Sequence, residues 1–138
     1  MKNAVRVYTT VIPPESGDRW KAVLLVQSSS GRVLAEDVQH LVLKPGAHAG
    51  SGTATSAAAL AAMLQGLMAA KSIRARNVVV FSDRARAVDA LSRQTRVAAA
   101  AVGTYLQLRA MAHSFASVEF RCAPYPAISD LPVMAAGG

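Results

Sequence analysis

Apolar and polar positions alternate along residues 4–11, AVRVYTTV, with the two-residue rhythm of a half-buried strand. Turn chemistry follows over residues 12–19, where Pro13, Pro14, Gly17 and Asp18 interrupt regular structure. Residues 20–27, WKAVLLVQ, predict a second strand, and residues 33–43 a third after a polar turn around Gly31. Connections this short predict an antiparallel three-strand meander. A loop containing Pro, Gly and His, residues 44–52, leads into a helix running to about Lys71, with Thr53, Thr55 and Ser56 as N-cap candidates. Residues 78–81, VVVF, form the continuous apolar run expected of a central strand buried on both faces. A short helix over 84–92, a longer one over 95–114 and a last strand over 116–122 complete the pattern. Beyond it Pro124, Pro126 and Pro132 break regular structure, and residues 135–138 are expected to fray.

The predicted order is three strands, a helix, a strand, two helices and a strand. A right-handed crossover from the third strand sets the fourth beside the first, with helices covering the sheet. With 138 residues, no repeat and no linker, the chain reads as one domain, residues 1–138. Its 52% apolar content argues against disorder. The single cysteine, Cys122, cannot form an internal disulfide, which suits a reducing cytoplasm; it is expected to be a small buried hydrophobe. Residues 1–11 lack the pattern of a secretory leader. Residues 53–70 carry no charge, but their Ala, Thr, Ser, Gln and Gly make a poor lipid-facing surface, so no membrane span and a cytoplasmic location are expected. Fifteen basic against eight acidic side chains give a net charge of +7 and a pI near 10.3, which favours a polyanion as partner, nucleic acid first.

Three stretches carry the candidate chemistry. The first strand ends in YTT, an aromatic and a small residue followed by Thr10. The long helix places Gly66-Leu67 and Ala70 near its end. The fourth strand reads VVVFSD, so that Asp83 closes it. Downstream, LRAMAHSFASVEFRCAP leads to ISDLPVMA, which contains Asp130. Across roughly residues 4–134 these motifs resemble the ribonuclease H-like family, in its reverse-transcriptase-type branch. The resemblance implies an α/β fold: a mixed five-stranded sheet with an antiparallel meander of strands 1–3, strands 4 and 5 parallel to strand 1, and flanking helices. It also implies four acids. Two have counterparts here, Asp83 and Asp130. The other two positions hold Thr10, at the end of the first strand, and Ala59, seven residues before Gly66 on the helix.

By this resemblance the active site is degenerate. Two divalent cations a few ångströms apart repel each other and need several carboxylates around them, and Mg²⁺ prefers hard, charged oxygen ligands. Threonine offers a neutral oxygen and alanine none. The expected cofactor set is therefore none, or Mg²⁺/Mn²⁺ held weakly by Asp83 and Asp130. Glu15, Asp18 and Asp89 are the acids from which a replacement would have to come, while Glu36 and Asp37 fall on the third strand, away from the site. Asp83 also has a plainer reading as N-cap of the helix over 84–92, and Asp130 as a surface loop acid.

A basic band, Lys71, Arg74, Arg76, Arg84, Arg86, Arg93 and Arg96, suits phosphate contact. In the family reading, amides and hydroxyls of residues 53–56, Thr55 and Ser56 among them, touch a nucleic-acid backbone. The loop before them lacks the lysine of a nucleotide-binding P-loop. His40, His48 and His113 show no zinc spacing, and Trp20 reads as core or sheet surface. The uncharged stretches 53–70 and 97–108 raise homodimer or partner contact through helices, against the alternative of a simple alanine bias. Three functions stay open: a catalytically impaired domain binding an RNA/DNA hybrid or structured RNA; an active divalent-metal ribonuclease H with an altered carboxylate set; and an oligomerisation scaffold that binds no nucleic acid.

Overall fold

The computed structural model describes residues 3–15, 19–42, 52–92, 97 and 101–126, with backbone alone at 52–54. Its elements are β1 (Val5–Ile12), β2 (Lys21–Gln27), β3 (Val33–His40), α1 (Gly52–Ser72), β4 (Asn77–Ser82), α2 (Ala85–Ser92), α3 (Val102–Ala112) and β5 (Ser117–Cys122). The order is the predicted one. The third strand stops at His40 rather than at 43, and the third helix begins at Val102 rather than at 95.

The strands form one sheet in the order β3-β2-β1-β4-β5. β1 pairs antiparallel with β2 and β2 with β3, as the short connections require, whereas β4 is parallel to both β1 and β5. Alternation along β1 sorts its side chains between two faces. Val7, Thr9 and Val11 are buried under α1, while Tyr8 lies on the other face and stacks on Phe81 with ring centroids 4.6 Å apart. On that face Leu25, paired with Tyr8, is fully buried. Tyr125 lies there beside Val23, Glu36 and Val38, so the chain after β5 turns back across the sheet.

The packing of α1 explains why residues 53–70 carry no charge. It packs on β1, β2 and β4 and also against α3, so two of its sides are covered. Ala57, Ala58, Ala59, Leu60, Ala62, Met63, Leu67 and Ala70 are all buried. Alanine is the best helix former and the smallest side chain that keeps helical propensity, so it serves a helix pressed from two sides. The approach is closest at Gly66, where an added Cβ would stand 2.7 Å from Val7 Cγ1 and 3.2 Å from Thr9 Cγ2. Ala58 and Ala62 also join a second cluster with Val11, Trp20, Ala22, Leu24 and Leu41, which places Trp20 in the core. Cys122 departs from expectation: it is exposed, because it ends β5, a strand at the sheet's edge. Among the described residues no helix is long and apolar enough to cross a membrane.

Candidate nucleic-acid interface

β1 and β4 are parallel neighbours, so their C-terminal ends meet at one edge of the sheet. Thr9 lies opposite Ser82, and Thr10 and Asp83 follow in step. The Thr10 hydroxyl donates to Asp83 Oδ2 at 2.7 Å. One residue deeper, the buried Thr9 hydroxyl donates to the Phe81 carbonyl at 2.9 Å and closes the seam between the strands. The Asp83 carboxylate also has Arg84 Nε 3.9 Å from Oδ1, a contact between groups exposed enough to be worth little energy.

Asp83 does not cap α2. The Arg84 amide donates at 3.2 Å to the hydroxyl of Ser82, which is almost fully buried, while the Asp83 side chain turns toward Thr10. Sequence reasoning missed Ser82; a serine two residues before the Arg84-Ala85 helix start is the signal that could have revealed it.

The N-terminus of α1 comes to the same edge. Thr55, Ser56, Asp83, Arg84, Ala85 and Arg86 line a shallow hollow of about 420 Å³. α1 and α2 have no acid in their first turns, so both present partial positive charge at these ends. Ala59 lies three and four residues beyond Ser56 and Thr55 on the same helical face and is buried. Because Cβ bonds tilt toward a helix N-terminus, a longer side chain at 59 would reach back toward this hollow. Alanine ends short of it.

The structure brings together Thr10, Asp83, Thr55, Ser56, Arg84 and Arg86, with Ala59 one turn below. It does not bring Lys71, Arg74 and Arg76 with them. These three lie where α1 ends and β4 begins, at the opposite end of the sheet, because α1 carries the chain about 22 Å from Ser56 to Lys71. The basic band of the sequence is thus two clusters. Of the other acids, Glu36 and Asp37 are on the far edge strand β3, as expected, and Asp89 is on α2. Among the described residues no group of three or more His, Cys, Asp or Glu side chains converges. Asp130, Asp18, His48, Arg93 and Arg96 lie outside the described residues.

The fold has close counterparts among solved structures. The chain is similar to the N-terminal RNase H domain of a Mycobacterium tuberculosis protein solved as a fusion with maltose binding protein, with a TM-score of 0.66 at 20% identity over 86% of this chain and 87% of that one. It is similar to RNase H1 from Halobacterium salinarum, with a TM-score of 0.68 at 14% identity over 86% of each chain. An RNase H1 isolated from compost by a metagenomic approach superposes over 96% of this chain and 92% of its own, with a TM-score of 0.71 at 12% identity. A complex of that enzyme with an RNA/DNA hybrid also matches, with a TM-score of 0.60 at 13% identity over 87% and 85% of the two chains. No curated protein matches the sequence. The family model described as reverse transcriptase-like matches residues 21–125, most of the chain. The strand order, the meeting of β1 and β4 at Thr10 and Asp83, and this match together establish that the chain belongs to the reverse transcriptase-like family and has the ribonuclease H fold.

Proposed function

We propose that this domain binds nucleic acid, an RNA/DNA hybrid or structured RNA, at the Asp83 edge, and that its phosphodiester hydrolysis is impaired. The observation that carries the reading is the lining of the hollow. One carboxylate, already engaged by the Thr10 hydroxyl, stands among Arg84, Arg86, Thr55, Ser56 and two helix N-termini. Such a surface favours a backbone phosphate through guanidinium forks, amides and hydroxyls. The similar compost enzyme, solved with an RNA/DNA hybrid, supports that class of ligand.

The family's divalent cations fit this lining poorly. When bound, such ions polarise the phosphate and activate water. Of the described residues that line the hollow, only Asp83 is a carboxylate, and position 10 directs a hydrogen-bond donor at it where a second anion would be needed. The Arg84 guanidinium, close to the same carboxylate, further opposes a cation there. What the chain's own residues do in this reading is hold and orient a phosphate; no hydrolytic step follows from them.

The test is fluorescence anisotropy with a labelled hybrid across a salt series, together with a cleavage assay in Mg²⁺ and in Mn²⁺. Binding that weakens as salt rises, and weakens again in the Arg84→Ala plus Arg86→Ala variant, is the expected result. No binding at low salt rejects the binding half. Efficient metal-dependent cleavage that Asp83→Asn abolishes rejects the impairment half and favours the altered-carboxylate ribonuclease.

A second reading, self-association through the helices, rests on a narrower surface than the sequence implied, since most of α1 is buried. Val102 and Leu106 on α3, with Met68 on α1, are exposed apolar side chains on uncharged stretches. We propose them as the contact of a homodimer.

A further inference from the structure

We propose that the turn joining α1 to β4 is a second, separate contact for a nucleic-acid backbone, with Arg74 as its central residue. Its ligand class rests on the nucleic-acid reading above. Its position does not, because it lies at the other end of α1, about 22 Å from the Asp83 hollow.

The first observation is charge. Lys71, Arg74 and Arg76 are exposed, and none pairs with an acid among the described residues. The C-terminal end of α3 stands beside them, since the Ala116 amide donates to the Arg76 carbonyl at 2.9 Å. Segments 71–77 and 109–118 together hold Lys71, Arg74, Arg76, Arg109 and His113 and no aspartate or glutamate, and the next acid along β5, Glu119, is paired with Arg121 at 2.7 Å. Arg109 is committed within the fold: its guanidinium donates to the Leu91 carbonyl at 3.0 Å and lies 5.8 Å from the centre of the Tyr105 ring. The three cations of the turn therefore share a surface on which no described acid neutralises them.

The second observation is backbone strain. α1 closes with two reversed hydrogen bonds, from the Ala75 amide to the Ala70 carbonyl at 3.0 Å and from the Arg74 amide to the Lys71 carbonyl at 2.9 Å. This is the Schellman motif, and its penultimate residue must adopt a left-handed conformation, a place where glycine is usual. Here that residue is Arg74, with φ at 62°. A Cβ in this region is sterically unfavourable, so arginine lowers stability relative to glycine. Its exposed side chain makes no hydrogen bond or ion pair with the described residues that would offset the strain. A left-handed arginine whose strain no contact within the described fold offsets, set in a basic turn, points to a role outside folding, and its exposed cation suits a backbone phosphate. A nucleic acid long enough to reach both ends of α1 gains counterion release at each.

Arg74→Gly separates binding from folding, because the two effects have opposite signs. It is expected to raise the Tm by about 3 °C. In anisotropy with a labelled hybrid of about 18 base pairs it is expected to lower affinity about fivefold near 0.1 M salt and to flatten the log–log salt slope by about 0.9, as loss of one phosphate contact does. Arg74→Lys should recover the slope without the gain in Tm. The combination Lys71→Gln, Arg74→Gly and Arg76→Gln should flatten the slope by between two and three. If the wild type binds the hybrid through Arg84 and Arg86 while Arg74→Gly and the triple variant keep its slope and affinity, the second contact is rejected and the Asp83 reading stands. If the wild type binds no hybrid at low salt, both readings fall. If Arg74→Gly leaves the Tm unchanged, the strain argument is rejected.

Discussion

Gly66→Ala tests whether the close approach of α1 to β1 sets the register of the site. In an exposed helix this change stabilises by about 0.8–1.0 kcal/mol through backbone entropy alone. Here the new methyl would lie 2.7 Å from Val7 Cγ1 and 3.2 Å from Thr9 Cγ2, against a carbon–carbon optimum of about 3.5–4.0 Å. Val7 is fully buried and β-branched, so it cannot swing aside, and the Thr9 hydroxyl is tied to the Phe81 carbonyl. Helix and sheet must separate by roughly 1 Å, and overpacking of this kind costs about 1–3 kcal/mol. The two terms leave a net destabilisation of about 1 kcal/mol. Urea unfolding followed by circular dichroism should show a lower midpoint with an unchanged slope. Val7→Ala would make room for the methyl, so the double variant should be more stable than the two single losses add up to, by at least about 1 kcal/mol. A Gly66→Ala protein as stable as the wild type would show that this contact does not hold α1 against β1.

Thr10→Asp removes the hydroxyl donor and sets a second carboxylate beside Asp83. The variant is expected to lose about 1 kcal/mol near neutral pH by like-charge repulsion, and to regain it when Mn²⁺ replaces a chelator in thermal melts. A melt indifferent to Mn²⁺ would reject position 10 as a metal-facing position. Tyr125 has its hydroxyl pKa raised above the usual 10.0, by burial first and by the nearby Glu36 second. The folded state therefore holds this proton longer than the unfolded chain does, and its contribution, intact below pH 10, is lost as pH rises through the folded pKa. Tyr125→Phe should flatten the fall in stability above pH 10 and change little at pH 7, as urea midpoints across pH 7–11 would show; an unaltered alkaline slope would exclude Tyr125 as its source. Leu106→Glu places a charge in the uncharged stretch 97–108, and any dimer seen by sedimentation at high micromolar concentration should become monomer; an unchanged distribution would remove α3 from the interface.

The architecture was legible because periodicity reports burial directly. VVVF, short and β-branched, fits a strand covered on both faces, and AVRVYTTV one with two unlike faces, so sheet order followed from connection length and handedness. The charge-free helix was harder. A helix without charged residues reads equally as a contact surface or as a buried element, and composition does not separate them. The deciding fact is three-dimensional: α3 lies along α1, so the small residues face an internal neighbour as well as the sheet. Cys122 failed for a related reason. Alternation along β5 puts it on the same face as Val118 and Phe120, but nothing in sequence says that β5 ends the sheet.

The site was legible as a set of positions and not as a surface. Motif spacing singled out Thr10, Ala59 and Asp83 as candidates, and β1 and β4, running in parallel, place two of them in hydrogen-bond contact. The arginines follow a different logic. Arg76 and Arg84 are close in sequence, yet β4 lies between them and carries the chain roughly 20 Å from one end of the sheet to the other. Ser56 and Arg84, far apart in sequence, line one hollow because α1 and β4 run in opposite directions. Charge summed along a sequence therefore overstates the strength of any one site when a strand or helix intervenes. It conceals the separation that would let one domain hold a long polyanion at two points. For this chain that separation makes a specific demand: variants at the two ends should each reduce the salt dependence of binding to a long hybrid, and their reductions should add, because groups this far apart share no contacts.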